Sequence, residues 1–575
     1  MTKRLQVRRR PGPLARGGFT GLFDAPSRRV ALAALAGLAA VCCAGPAAAG
    51  PDGSIEPDGK IAAPLASALR SSPGTSRRLV YLLADPAEPA AAIPRSADAA
   101  LQRSAVRSAM TARRAAAESR LLRTGHEIVY ASDYAGVIVA VGNAAAVTAM
   151  AGDATIKAVL QERVHRPRLN VSRVVTQASV VQGRGIDGTG AKVGVVEEGS
   201  ISSHPNLPSG RRTACRPTSR IGASDHKTAV AGIIQSTHAT YRGIAPGVTI
   251  LDGIGVDFSD AEMIAATDCV VSRGAVAVSM SFGSDTDGEF DAFAQYVDRL
   301  VYNTGVSVVV AVSNVCSLRM GSPEIAYNDI SVGAFSDRGT AGLGDDLHAC
   351  SPAIAPSFSA YRDPPSRNGD REQPDLVAPG HDIRSTRLKS GFVEGSGTSF
   401  AAPHVAAGIG LLQDRASFSL ATQAERVRAI LMASARRNIE GSATLSDRDG
   451  AGAVRFAAAD AVLRGGTSWW FQTSGGSAGF PRTQSFQATA GQKVRVALAW
   501  AHKPGKGNST VSTNLDLAVS DPGGTQLAAS RSQDNNFEIV SFVASRTGTY
   551  RIRIDNRRTS TGAEHVGLAV SRTDS

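Results

Sequence analysis

The chain of 575 residues lacks a sustained triplet or heptad repeat, and only its N-terminus carries a long apolar run. These absences exclude collagen-like proteins, coiled coils and membrane proteins with several spans. Charged residues make up 19% and hydrophobic residues 43% of the chain, close to the globular average, which excludes disorder over the whole length. Clustered His and Cys residues and acidic loops are also missing, so the sequence predicts no metal site.

The apolar run at the N-terminus is typical of an export signal. It covers residues 30–43, follows a segment with eight basic residues and precedes a run of small residues. Residues 1–49 are therefore predicted to be a signal peptide. The run is too short to cross a bilayer comfortably, so we expect no membrane span after signal removal. Arg28 and Arg29 resemble a twin-arginine signal, and we expect a secreted or periplasmic protein exported by the Sec or twin-arginine route.

The net charge of +12 is distributed unevenly along the chain. Residues 1–49 carry +7 and residues 50–170 carry +4, so the remaining residues carry only +1. A nucleic-acid partner would require the positive charge on the folded, functional part of the chain. We therefore expect no nucleic-acid partner.

Four cysteines follow the predicted signal: Cys215, Cys269, Cys316 and Cys350. An even number in an exported chain favours two disulfides, for which three connectivities exist. Our working hypothesis pairs Cys215 with Cys269 and Cys316 with Cys350. The alternative is four buried thiols in a reducing compartment.

Changes of pattern divide the rest of the chain into four segments. Residues 50–76 are rich in Pro, Gly, Ser and Ala and are predicted to be a linker. Residues 77–170 show a β-α-β-α-β order that suits a small α+β module. Apolar strands alternate with helices over residues 171–464, which indicates an α/β domain with a parallel sheet covered by helices on both faces. Residues 465–575 show strands and turns without helical periodicity and are predicted to form a β-sandwich.

The strongest local motif is GSGTSFAAPH over residues 395–404. Its glycines place Ser399 at a tight turn before an Ala-rich helix, where the helix N-terminus favours developing negative charge. A lone turn of this kind is usually only a helix cap. Residues 397–406, however, resemble the nucleophile motif of the subtilisin-like serine peptidases, the subtilases.

Five further segments of the chain resemble other motifs of that family, and they occur in the family's order. They are the first-strand motif (residues 193–199 and 203–207), the histidine motif (225–232 and 243–246), the substrate-lining segment (281–283), the oxyanion segment (310–314) and the segment before the nucleophile (375–380). The resemblance thus covers residues 190–406 and implies a subtilisin-like fold.

The resemblance implies roles for four catalytic residues. Ser399 would be the nucleophile, His226 its general base, Glu197 the carboxylate that orients the base, and Asn314 the oxyanion donor. The implied protein is a secreted serine endopeptidase that hydrolyses protein or peptide substrates and needs no cofactor for catalysis. We expect it to be a monomer.

The resemblance also implies where substrate binds. Ser281, Phe282 and Gly283 would line the substrate, and together with residues 311–313 they favour an apolar pocket.

Three positions depart from the family pattern. Glu197 stands where the family has Asp, Lys227 where Gly is usual, and Ala229 where a second His is usual. One extra methylene displaces a carboxylate by up to about 1.5 Å, and misplacement of about 1 Å can cost on the order of a hundredfold in rate. The alternative hypothesis is therefore a catalytically silent subtilase fold that serves binding or adhesion. Asn206 stands where relatives often carry a calcium-binding Asp, so structural calcium has no support from the sequence.

The flanking segments extend the resemblance. Residues 77–166 resemble the subtilase propeptide, which acts as an intramolecular chaperone and inhibitor, and its removal is expected between His165 and Val180. The C-terminal segment resembles the β module appended to many secreted bacterial peptidases. We expect that module to stabilise the protein without a ligand of its own.

Overall fold

The computed structural model describes residues 60, 61, 63–84, 99–132, 137–161, 169–217, 219–285, 287–436, 439, 444–473, 479–503, 511–558 and 564–573. The chain divides into two compact units, residues 1–165 and residues 166–575. The predicted export signal, residues 1–49, lies outside the described residues. Within the described part of the chain, every helix is too short or too polar to cross a membrane.

The first unit is a small α+β module. Its elements are α1 (Ala63–Ser71), β1 (Arg77–Leu83), α2 (Ala99–Arg123), β2 (Glu127–Ala131), β3 (Val137–Gly142), α3 (Ala144–Ala151) and β4 (Ile156–Gln161). The strands form an antiparallel sheet in the order β2-β3-β1-β4. Leu79 and Ile138 from the sheet and Leu121 from α2 contribute to its core.

Two predictions for this unit need correction. The predicted β-α-β-α-β order places a single strand over residues 126–141. The chain instead forms two strands there, β2 and β3, which pair with each other. The linker predicted over residues 50–76 contains α1, whose Leu65 and Leu69 are buried in the core of the unit. A composition rich in Ala and Ser masked two apolar side chains one helical turn apart, which give α1 a buried face.

The second unit holds a parallel sheet flanked by helices, as predicted. Its elements up to the last helix are α4 (Leu169–Val175), α5 (Ala178–Gln182), β5 (Lys192–Glu198), β6 (Ser200–Ile201), β7 (Arg212–Cys215), β8 (Ala223–Ser224), α6 (Asp225–Gln235), β9 (Thr249–Gly255), α7 (Asp260–Ser272), β10 (Ala277–Met280), α8 (Ala292–Thr304), β11 (Ser307–Ala311), β12 (Ile330–Ser336), β13 (Leu347–His348), β14 (Leu376–Pro379), β15 (Ile383–Thr386), β16 (Phe392–Gly395), α9 (Thr398–Arg415), α10 (Ala424–Ser434) and α11 (Phe456–Arg464).

The order of the central strands brings the predicted site residues to one edge of the sheet. The order is β13-β12-β11-β10-β5-β9-β7, with β14 also paired to β12 and only β13 antiparallel. Glu197 ends β5, Ser281 follows β10 and Asn314 follows β11. Carboxyl ends of parallel strands meet at the same edge, where α/β proteins form their ligand crevices. The fold therefore gathers side chains that are far apart in the sequence.

The described cysteines form two disulfides. Cys215, at the end of β7, is bonded to Cys269 in α7. Cys316 is bonded to Cys350. Of the three connectivities that the sequence allows, the structure thus has the one that joins neighbours along the chain.

The C-terminal segment forms two packed antiparallel sheets, consistent with the predicted β-sandwich. Its strands are β17 (Ser468–Thr473), β18 (Arg482–Ala488), β19 (Lys493–Trp500), β20 (Asn514–Ser520), β21 (Gln526–Ser530), β22 (Phe537–Val543), β23 (Gly548–Arg558) and β24 (Glu564–Thr573). One sheet has the order β17-β24-β19-β22 and the other β18-β23-β20-β21. Trp500, Leu517 and Tyr550 are buried in the core between them.

The sandwich shares a hydrophobic core with the parallel-sheet domain. Ala497, Ala499 and Ala569 belong to the same buried cluster as residues of α9 and α10. Gly567 lies so close to α10 that a Cβ on it would come within 2.3 Å of the Arg426 backbone nitrogen. This close contact requires glycine, and it shows that α10 packs directly on the sheet.

Buried polar side chains also cross this boundary. The Arg428 guanidinium donates to the Tyr327 carbonyl at 2.7 Å and to Asn536 Oδ1 at 2.9 Å, and it pairs with Asp375 Oδ1 at 2.5 Å. Asn328 Nδ2 donates to the His502 carbonyl at 2.7 Å. Because such groups are costly to bury unpaired, each side of the boundary depends on the other.

A chain that ends after Arg464 should therefore fail to accumulate as a soluble protein. Removal of residues 465–575 exposes the apolar face of α10 and leaves Arg428 without Asn536. We expect at least about a tenfold loss of soluble exported protein, measured by quantitative immunoblotting. Arg553→Ala on the solvent face of β23 is the control and should accumulate normally. A truncated protein as abundant and as protease-resistant as the full chain would contradict the shared core.

Candidate active site

Glu197 and His226 meet at the carboxyl end of β5. Glu197 is only 1% exposed, and its Oε2 lies 2.7 Å from His226 Nδ1. His226 is in the first turn of α6, which Ser224 caps by accepting a hydrogen bond from the Lys227 backbone N–H at 3.2 Å. The cap and the strand end together set the position of the imidazole relative to the carboxylate.

The pKa of His226 reflects this pairing. Burial disfavours the imidazolium, but the negative charge of Glu197 and the hydrogen bond to it outweigh burial, so the pKa of His226 is raised above its usual 6.5. Its side chain is still 23% exposed. The imidazole is therefore poised to hold a proton near neutral pH while remaining accessible from the crevice.

Ser399 lies in the first turn of α9. The ring of Phe400, the next residue, packs edge-on against the His226 ring with 6.1 Å between centroids. The Ser399 hydroxyl donates to the Ser281 carbonyl at 3.2 Å, and the Ser281 hydroxyl donates to the Ser399 carbonyl at 3.0 Å. These reciprocal bonds attach the start of α9 to the chain that follows β10.

Asn314 is oriented by the same helix. Its Oδ1 accepts hydrogen bonds from the Thr398 backbone N–H at 2.9 Å and from the Thr398 hydroxyl at 3.1 Å. With the amide oxygen engaged, the Asn314 NH₂ group is the end that can donate to a ligand. Thr398 is a positioning residue that the sequence analysis did not identify, although it lies inside the nucleophile-like motif.

The substrate-lining residues are brought to this crevice, but not all face it. Gly283 is exposed and Ser281 contacts Ser399. Phe282 instead packs against Phe258 and Phe293, with ring centroids 5.8 and 5.9 Å apart. Phe282 therefore contributes to the hydrophobic core on that side of the sheet.

Lys227 has a role that its position in the sequence does not predict. Its side chain is fully buried, and the ammonium lies 2.8 Å from Asp252 Oδ1. It also donates to the carbonyl oxygens of Glu197 at 3.3 Å, Gly199 at 2.9 Å and Gly253 at 2.8 Å. The cation thus links α6 to the ends of β5 and β9. Asp252 is the one acidic residue in the apolar strand TILDGIG, and a lone acid in a buried strand is the feature of the sequence that indicates a buried cationic partner.

A group of three carboxylates lies elsewhere in the described residues. Carboxylate oxygens of Asp363, Glu372 and Asp447 lie within 4.8 Å of one another. Burial and the charge of Glu372 raise the pKa of Asp363 to about 7. Oxygen atoms so arranged could hold a hard cation. The sequence predicts no metal site here, because Asp447 is distant from the other two along the chain.

The pairing of His226 with Glu197 predicts a measurable change in basicity. Glu197→Gln removes the charge that counters burial, so the pKa of His226 should fall below its wild-type value. NMR titration of histidine-labelled protein measures this directly. Glu198→Gln is the matched control, one residue along the same strand, and should leave the pKa raised. Equal values in wild type and Glu197→Gln would contradict the pairing.

The buried ammonium of Lys227 predicts a large stability effect. Lys227→Met leaves the Asp252 carboxylate buried without its cation, which typically costs about 3–5 kcal/mol of unfolding free energy. Urea denaturation should show this loss. The double variant that combines Lys227→Met with Asp252→Asn should recover part of it, because it no longer buries an unpaired carboxylate. Lys192→Met, at the exposed start of β5, should have a wild-type midpoint. A Lys227→Met midpoint equal to wild type would refute the role of the ammonium.

Comparison with known proteins finds a separate family match for each of the two parts of the second unit, the parallel-sheet domain and the β-sandwich. The subtilase family model matches residues 188–452, and the model of the bacterial pre-peptidase C-terminal domain matches residues 483–556. Subtilisin BL of Lederbergia lenta is 28% identical over 256 residues, covering 43% of this chain and 83% of that protein.

Two further similarities cover a comparable share of this chain. Alkaline elastase YaB of Bacillus sp. (strain YaB) is 29% identical over 249 residues, which are 42% of this chain and 58% of that protein. The protease domain of PatA, solved as a point mutant, is 24% identical with a TM-score of 0.39, covering 49% of this chain and 98% of that one. The family models thus identify residues 188–452 of this chain as a subtilase domain, the domain of the subtilisin-like serine peptidases, and residues 483–556 as an additional C-terminal domain.

Proposed function

We propose that this subtilase cleaves peptide bonds with a triad of Ser399, His226 and Glu197, in which Glu replaces the usual Asp. The 2.7 Å contact between Glu197 Oε2 and His226 Nδ1 carries the proposal. It supports the idea that the extra methylene is absorbed by the strand and helix that hold the two residues. The proximity of Phe400 to the imidazole supports Ser399 as the third member.

The chemistry follows from the properties of the three side chains. A Ser hydroxyl is a weak nucleophile until a base takes its proton. His226 accepts that proton as Ser399 Oγ attacks the scissile carbonyl, and then passes it to the leaving amine as the acyl-enzyme forms. In the second half-reaction a water attacks the acyl carbonyl and His226 takes the proton from this water. His226 then passes that proton to Ser399 Oγ as the ester bond breaks and the carboxylic acid product leaves. Glu197 keeps Nδ1 protonated and stabilises the imidazolium throughout.

Asn314 is proposed as the oxyanion donor. Thr398 holds its amide oxygen, which leaves the NH₂ group to donate to the negatively charged oxygen of the tetrahedral intermediate. The N-terminus of α9 adds its favourable dipole at the same place. Removing one such donor costs about 2.7–4 kcal/mol of transition-state stabilisation, a magnitude known from a subtilisin.

We further propose that the protein matures by removal of its N-terminal segments. In this scheme residues 1–49 are the signal and residues 77–170 include the propeptide, which inhibits the enzyme until it is cut off. The peptidase domain then spans residues 171–464 and the β domain residues 465–575. Ser172 Oγ lies 3.0 Å from the Nε2 of buried His404, and Val175 contributes to a buried cluster. These contacts favour a cut before Ser172, at the early end of the expected range.

An active-site probe tests the triad. A fluorophosphonate should label the secreted protein at Ser399, and Ser399→Ala should abolish labelling. Glu197→Gln should lower kcat by about 10⁴, because an orienting carboxylate of a triad has an effect of that size. Ser396→Ala, at the turn before α9, is the control that keeps Ser399.

Mass spectrometry of the secreted protein tests maturation. The N-terminus should lie between residues 165 and 172 in the wild type, whereas Ser399→Ala should retain the propeptide. Correctly processed protein that the probe does not label would overturn the triad and favour a silent binding role.

A further inference from the structure

A buried carboxylate lies directly beneath the substrate-lining segment. Gly283 is exposed, and the next residue pairs with a neighbouring loop, since Ser284 N donates to the Ser322 carbonyl at 2.7 Å and Ser322 N to the Ser284 carbonyl at 3.2 Å. Glu324 follows in that loop and is only 1% exposed. A Cβ placed on Gly283 would lie 3.0 Å from Glu324 Oε2. The absence of a side chain at Gly283 therefore leaves this oxygen next to the backbone of the substrate-lining segment.

One oxygen of Glu324 has no partner among the described residues. Oε1 accepts a hydrogen bond from the Gly321 N–H at 2.9 Å, whereas the buried Oε2 accepts none from that part of the chain. An unpaired buried carboxylate oxygen is costly, and a ligand that pairs with it recovers that cost.

The surroundings of Glu324 favour a cationic ligand. Burial, together with the nearby charge of Asp285, raises the pKa of Glu324 to about 7, although the backbone N–H groups of Glu324 itself, Gly321 and Ser313 act to lower it. Ser313 directly precedes Asn314, so the carboxylate lies between the oxyanion segment and the substrate-lining segment. A cation entering between these segments would stabilise the ionised carboxylate.

The apolar pocket expected from the sequence is not supported by these positions. Phe282 packs into the core rather than towards the crevice. The group beneath Gly283 is a carboxylate, which favours an acidic subsite over an apolar one.

We propose that Glu324 is a specificity-determining residue that selects substrates with an Arg or Lys side chain on the acyl side of the scissile bond. This inference rests on the proposed peptidase function. The side chain would lie along Gly283 and pair its cationic end with Oε2. Charge complementarity of this kind discriminates strongly, since a neutral side chain leaves the buried carboxylate unpaired.

The chain's own sequence offers substrates of this class at its processing site. Arg166 and Arg168 lie within the range where propeptide removal is expected, before Ser172. Cleavage after either arginine would release a mature chain that keeps the Ser172 contact with His404. The proposed preference for Arg or Lys is thus consistent with the sequence at the expected site of propeptide removal.

A substrate panel tests the pocket on the secreted, mature protein. Fluorogenic peptides that differ only in Arg, Lys, Phe or Leu before the scissile bond should show the highest kcat/KM for Arg and Lys. Glu324→Gln should lower kcat/KM for the Arg peptide at least about thirtyfold and change the Phe peptide little. Glu324→Asp should keep the order of preference. Glu425→Gln, a buried carboxylate on α10 whose pKa is also raised to about 7, is the matched control and should keep it too.

Each outcome decides a separate point. Fluorophosphonate labelling first measures the fraction of active protein. If processed wild type is not labelled, both the peptidase function and this inference are overturned. Labelled wild type that prefers Phe or Leu to Arg would overturn the pocket alone. Retained Arg preference in labelled Glu324→Gln would do the same. Should the Glu324 variants fail to fold, the wild-type panel decides by itself.

Discussion

The site depends on one buried cation that links a helix to two strands. The ammonium of Lys227 contacts backbone carbonyls at the ends of β5 and β9 as well as Asp252, while its own backbone belongs to α6. The strand end carries Glu197 and the helix carries His226 as the residue before Lys227. Because a buried ammonium requires nearly all of these acceptors, the distance between the strand and the helix has little freedom. The 2.7 Å contact between carboxylate and imidazole is a consequence of that constraint.

This constraint explains how two departures from the family pattern coexist. Lys227 places no charge against the imidazole, since its ammonium is directed to the strand ends. Glu197 has a longer side chain than Asp, yet its carboxylate still reaches Nδ1. The energetic cost of burying three charges is offset in two places: Lys227 pairs with Asp252 and with backbone carbonyls, and Glu197 pairs with His226. A substitution at one of these positions should therefore be judged together with the others.

Much of the fold and most of the candidate site residues could be predicted from the sequence. The parallel strands were recognisable because strands buried on both faces are apolar along their whole length, and Ser399, His226 and Asn314 lie in recognisable local motifs. The predicted sandwich follows from alternating strands and turns. The partners of Lys227 were not predictable, because Asp252 joins it only through tertiary packing. Glu324 was missed for a similar reason: its position beneath Gly283 depends on a pairing between loops. The helix at residues 63–71 was hidden by a composition typical of linkers.

The core shared by the β-sandwich and the parallel-sheet domain sets an order of events during synthesis. The strand β24 (Glu564–Thr573) lies between β17 and β19 and contributes Ala569 to the core around α10. One wall of that core is therefore missing until residues 564–573 have been synthesised. A domain whose core closes only with this late segment cannot be fully assembled while the chain is still being synthesised. The candidate site lies in the same domain, so its surroundings are completed late in synthesis rather than as soon as its own residues have emerged.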